Sequence, residues 1–138
     1  MRRRRLLAVS AGLFVGASGC LAGSGVLYAD SGQVTIENNS YEQYLFNISN
    51  PATIDYTAVV ISGSAIDTVV LTGSDFESFE TGNAAQYVNS QLDIYHISVE
   101  TNLMPKEWVL VLDNPHRMDT TVALEYEIRN YIPYGEAG

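Results

Sequence analysis

The first side chain equipped for chemistry is Cys20, the single cysteine of a 138-residue chain. Ala17, Ser18 and Gly19 precede it, and such small residues let an extended backbone enter a signal peptidase. A thiol at the first position of a cleaved chain can take a thioether-linked lipid. This lipobox-like arrangement predicts lipidation at Cys20, although Ala17 stands where the usual pattern has leucine. One cysteine excludes a disulfide framework.

The two histidines offer less. His96 falls on the polar side of an alternating segment with Ser98 and Glu100, and His116 follows the turn Asp113-Asn114-Pro115. Nucleophilic catalysis needs a serine or cysteine held against a base, and no Gly-x-Ser-x-Gly elbow occurs. The stretch between the histidines supplies no zinc-ligand spacing and no Gly-rich loop leads into Lys-Ser/Thr, so surface histidines, no metal, no cofactor and no enzymatic activity are expected. Asp113, Asn114 and Asp119 lie within seven residues and offer oxygens that suit calcium. The competing reading is a turn, in which Asp and Asn cap backbone amides and Pro115 fixes φ. Asn38-Asn39-Ser40 and Asn47-Ile48-Ser49 are acceptor sequons, and Asn38, set in a turn, is a candidate glycosylation site. Tyr44, Tyr95 and Tyr126 fall on apolar faces and read as core. Tyr131 and Tyr134, past the last clear strand, form a candidate partner patch.

Arg2 to Arg5 make a positive start before a largely apolar run, Leu6 to Gly16, of signal-peptide length, too short for a membrane-spanning helix. Arg3-Arg4-Arg5-Leu6-Leu7 resembles a twin-arginine export signal, with Arg3 and Arg4 as its core. A signal peptide over residues 1–19, a lipidated tether over 20–29 and one domain over 30–138 follow. After residue 19 the chain carries 16 acidic side chains against Lys106, Arg117 and Arg129. Phosphate contact needs clustered Lys and Arg, so the body is not expected to bind nucleic acid. This N-terminus on an acidic, lysine-poor body resembles an exported lipoprotein of a halophilic archaeon. In that resemblance the surplus carboxylates keep the surface hydrated in strong salt.

Strands must position these residues. Val122, Leu124, Tyr126 and Ile128 alternate with Ala123, Glu125, Glu127 and Arg129, the period-two pattern of a half-buried strand. Tyr44, Phe46 and Ile48 alternate likewise, as do Tyr95, Ile97 and Val99. The apolar runs Thr57 to Ile61 and Trp108 to Leu112 predict central strands covered on both faces. Ile66 to Thr72 and Gln33 to Glu37 bring the count to about seven. Ser74 with Glu77 reads as a capping box starting a short helix stopped by Gly82, with Phe76 and Phe79 facing the sheet and the helix bridging two strands across one end. The fold class expected is all-β: a single antiparallel β-sandwich (jelly-roll or GOLD-like) with one short helix, preceded by a signal peptide.

The succession IDTVVLT (66–72), DFESFETG (75–82), Tyr95 to Val99 and LMPKEWVLVLDN (103–114) resembles a small extracytoplasmic β-sandwich of archaeal and bacterial surface proteins, similar to the Golgi-dynamics (GOLD) sandwich. The likeness spans about residues 40 to 130. Lys106-Glu107 departs from it, replacing a glycine turn before the aromatic residue. The resemblance implies a binding or accessory module and brings no catalytic residues. The function expected is a membrane-anchored, non-catalytic surface lipoprotein on the outer face of the cytoplasmic membrane, with an extracytoplasmic protein or glycan partner. The alternative is a carbohydrate- or calcium-binding module serving a transporter or envelope enzyme.

Overall fold

The computed structural model describes residues 5–6 and 25–131. Its elements run β1 (Arg5–Leu6), β2 (Val26–Ile36), β3 (Ser40–Asn47), β4 (Ala52–Ser62), β5 (Ile66–Thr72), α1 (Gly73–Glu80), β6 (Asn89–Ile94), β7 (His96–Leu103), β8 (Glu107–Asn114) and β9 (Thr120–Asn130). One sheet has the order β1-β3-β8-β5-β6 and the other β2-β9-β4-β7. Every pairing is antiparallel except the short β1–β3 contact.

The pairs β2–β9, β3–β8, β4–β7 and β5–β6 are nested about the connection between β5 and β6. The chain therefore behaves as one long folded ribbon whose halves are dealt alternately to the two sheets. That is the jelly-roll form of an antiparallel sandwich, so the expected fold class is the observed one.

Alternation builds the space between the sheets. Ile54, Tyr56 and Ala58 of β4, Val122, Leu124 and Ile128 of β9, and Trp108, Leu110 and Leu112 of β8 all point inward and are buried. The Trp108 indole donates to the Met104 carbonyl at 2.7 Å, which satisfies its one polar atom. Tyr56 and Thr68 join their hydroxyls at 2.7 Å across the two sheets. Tyr44 is buried and Tyr126 packs partly buried against this core, as the alternation predicts.

A second cluster lies on the opposite face of the five-stranded sheet. Tyr41, Val69, Leu71, Val109 and Val111 are covered there by Phe76, with Phe79 packed against them. The helix thus lies flat on the outer face of this sheet rather than bridging the sandwich end, and β8 is covered on both sides as predicted. Its N-cap is Thr72, whose hydroxyl accepts from the Asp75 amide at 3.2 Å, so the cap sits two residues ahead of the expected Ser74. At the other end Gly82 has φ 83°, and the Gly82 and Asn83 amides donate back to Phe79 and Ser78. This is a Schellman stop that a glycine accommodates without strain.

Other departures have local causes. β4 is central, between β9 and β7, yet its outer face is open, with Ile61 50% exposed, because among the described residues no element packs on that sheet's outside. Tyr95 is 59% exposed, not core, since it occupies the step between β6 and β7 just after Asp93 turns the chain at φ 56°. β6 carries the polar sequence NSQLDI and was invisible to apolar alternation. β2 starts at Val26, seven residues before the predicted first strand and within the stretch expected as tether.

Candidate functional site

At one end of the sandwich, β2 begins while β3 and β9 finish. Leu27 and Tyr28 from β2, Asn47 from β3, Asn130 from β9, and Ser49 and Asn50 from the β3–β4 turn line an open recess of about 310 Å³ there. None of these six side chains is charged. Tyr28 packs edge-on against Phe46, with ring centroids 5.0 Å apart, and its hydroxyl reaches back to the chain at Asn47. That hydroxyl accepts from the Asn47 amide at 3.2 Å and donates to the Asn47 carbonyl at 3.3 Å.

The backbone around the recess is tied down. Asn130 N–H donates to Gly25 at 3.0 Å, Tyr131 N–H to Pro51 at 2.9 Å and Ile48 N–H to Lys106 at 3.0 Å. By contrast, the side-chain amides of Asn47, Asn50 and Asn130 hold no hydrogen bond among the described residues. Together they make an uncharged polar surface of free side-chain amides on an ordered backbone. In the sequence Asn47 stands out only as a sequon, and Asn50 and Asn130 belong to no motif. Asparagine at a strand end looks like turn chemistry, and only the strand order brings these three together.

The structure separates the other candidates. Arg3, Arg4, Cys20 and Tyr134 lie outside the described residues. Tyr131 is 46% exposed, beside the recess through its bond to Pro51. Asn38 is exposed in the β2–β3 turn, with its backbone N–H donating to Asp119 at 3.0 Å and its side-chain amide reaching the same carboxylate oxygen at 3.5 Å. Asn47 and Ser49, both of the second sequon, are also exposed.

Asp113 and Asn114 are successive residues of β8 and so face opposite sides of its sheet. Asn114 is fully buried, donates to the carbonyls of Ile36, Glu37 and Met118, and accepts from the His116 N–H. This trio of Asp113, Asn114 and Asp119 therefore serves the fold as turn and strand residues, and two of its members cannot converge on one cation. His116 Nε2 lies 3.8 Å from Asp93 Oδ1, and no serine or cysteine hydroxyl or thiol bonds to either histidine among the described residues. Among those residues there is also no group of three ligating side chains suited to a metal, and no helix is long and apolar enough to cross a membrane.

Between the sheets near the recess, burial and the charge of Asp30 push the Tyr126 hydroxyl up to about 12. Burial raises the Asp30 carboxyl above its usual range in turn, and its Oδ1 is buried without a hydrogen-bond partner among the described residues. Burial, then the charges of Asp113 and Asp67, also raise Tyr87 on the outer face of the five-stranded sheet.

Fold and recess define a two-sheet antiparallel β-sandwich with an uncharged cleft at one end. No family model matches the chain, and no curated protein matches it. Solved structures of the same architecture do. The pre-peptidase C-terminal domain of a Bacillus anthracis collagenase is similar at a TM-score of 0.55 and 18% identity, over 91% of this chain and 98% of that one. The Yersinia pseudotuberculosis-derived mitogen aligns at 0.53 and 8% identity, over 78% and 92% of the two chains. The Aeromonas hydrophila periplasmic inhibitor of g-type lysozyme aligns at 0.52 and 9% identity, over 92% and 98%. At these identities the likeness is one of fold.

Proposed function

We propose that this protein is a non-catalytic accessory module of the cell envelope, exported with Arg3 and Arg4 in its signal, lipidated on Cys20 and held at the outer face of the cytoplasmic membrane. Its sandwich engages an extracytoplasmic protein or glycan. Cys20 behind Ala17, Ser18 and Gly19 carries the reading, and the position of β2 sets how such an anchor would hold the body. β2 starts at Val26, six residues after Cys20, and six residues of chain reach at most about 20 Å. An anchor on Cys20 therefore holds the recess end of the body close to the membrane. The acidic body and its single lysine accord with a halophilic source, and the strand and helix succession over residues 66–114 accords with a GOLD-like module.

Two of the similar folds are a domain of a collagenase and a periplasmic inhibitor of lysozyme, settings that fit a module acting outside the cytoplasm on a partner. Intact-mass spectrometry of the protein purified from its own membranes, beside a Cys20→Ser variant, tests the anchor. A chain beginning at Cys20 with added lipid mass, absent from the variant, is expected. An uncleaved, unmodified chain would overturn the anchored reading.

A further inference from the structure

We infer that the recess bounded by Leu27, Tyr28, Asn47, Ser49, Asn50 and Asn130 is a binding site for an uncharged sugar, either free or as the headgroup of a neutral glycolipid. The inference deepens the accessory-module reading but rests on the recess itself. Each asparagine amide offers one acceptor oxygen and two donor N–H groups, and Ser49 adds a hydroxyl. Three amides and a hydroxyl around one opening match a ligand whose every hydroxyl both donates and accepts. Leu27 and the Tyr28 ring add an apolar wall for the C–H face of a sugar ring.

Charge decides against other ligands. A phosphate or carboxylate would find no cationic side chain in the lining, on a body of 16 acids and three bases. A metal would find no carboxylate or imidazole there, and neutral amides are weak ligands for it. A docked apolar helix would need a continuous hydrophobic groove, whereas the lining holds only Leu27 and Tyr28 as apolar walls. The volume, about 310 Å³, sits at the small end of ligand pockets, roughly 300–1,000 Å³.

Preorganisation supports the same assignment. The Tyr28 hydroxyl clamps both backbone polar groups of Asn47, and the Asn130 and Tyr131 amides are bonded to Gly25 and Pro51. A ligand therefore meets amides whose backbone is already ordered, and binding costs less conformational entropy. A lipid on Cys20, six residues before Val26, would put the opening within reach of headgroups in the same leaflet, which is why a glycolipid is one source of the sugar.

The test uses the full chain with Cys20→Ser, so that its outcome is independent of lipidation. Calorimetric titration with maltotriose and with cellotriose is run beside sedimentation with vesicles containing a diglucosyl lipid, and with the same vesicles lacking it. Saturable binding in either arm is expected, weakened about fivefold or more by Asn50→Ala and by Asn130→Ala. Leu92→Ala, an exposed change on β6, should leave it intact, and unchanged thermal unfolding would show that all variants fold. Binding to glycolipid vesicles alone assigns the headgroup, and binding to the trisaccharides assigns a soluble glycan. No sugar-dependent signal in either arm, or equal binding by the asparagine variants, would overturn the proposal. A sugar mass on Asn47 in protein from its own host would also overturn it, because that amide would then carry sugar as a covalent modification.

Discussion

A single amide holds much of the far end of the molecule together. Asn114, on the last position of β8, feeds two donors to three carbonyls, from the end of β2 and from the β2–β3 and β8–β9 connections. Asn114→Ala removes those donors from one buried and two part-buried carbonyls, a loss of about 2 kcal/mol at the usual cost of such groups, to be read as a lower urea midpoint. Tyrosine ionisation gives a second expectation. Tyr56 and Tyr126 are both pushed up to about 12, chiefly by burial, whereas in the unfolded chain they ionise near 10. Between about pH 10 and 12 the unfolded state therefore binds fewer protons, and stability present in full below pH 10 falls as pH rises. Tyr126→Phe should make melting temperature decline less steeply across that window, as a series of thermal scans from about pH 8 upward would show. Tyr56→Phe is less suited to the purpose, because it also strips the buried Thr68 hydroxyl of its partner.

At the scale of elements, α1 is a lid over one sheet face, fixed chiefly by Phe76 inserted among Tyr41, Val69, Leu71, Val109 and Val111. Tyr41 stands edge-on to Phe76 and Phe79, with centroids 5.9 and 5.4 Å away, and its hydroxyl donates to Glu80 at 2.8 Å. Phe76→Ala should cost about 3 kcal/mol and raise the binding of a hydrophobic dye, as the outer cluster loses its cover. The two phenylalanines are legible from their spacing, β3 and β9 from alternation of an apolar with a wetter face, and β5 and β8 from near-continuous apolar runs that both faces bury. The cap lies at Thr72 and not Ser74 because Thr72 both ends β5 and opens the helix, so its role shows only once the strand's end is known. β6 was missed because an edge strand with no buried residue needs no apolar alternation. Tyr95 misled in the opposite sense: it keeps the period of Ile97 and Val99, but β7 begins after it, and the chain has turned by then. The recess is illegible for a different reason, since Leu27, the Asn47–Asn50 segment and Asn130 lie far apart in sequence and meet only through the pairing of β2 with β9 and the β3–β4 turn.

The whole molecule depends on its last strand. β9 lies between β2 and β4, pairing with β2 from Val26–Arg129 to Ile36–Thr120 and with β4 along most of its length. A chain ending at Asp119 loses Val122, Leu124 and Ile128 from the core and leaves β2 without a partner in its sheet. It should show no cooperative unfolding transition and should be cut rapidly by protease, whereas the full chain resists; a folded, resistant fragment would contradict this dependence. Nested pairing also imposes a timetable. Synthesis delivers β2 first and β9 last, so the first long strand waits for the final one, and the four-stranded sheet cannot close while residues 120–130 are still inside the ribosome. A translocase that threads extended chain gains that interval free of competition from folding, and one that carries folded cargo cannot start until it has passed.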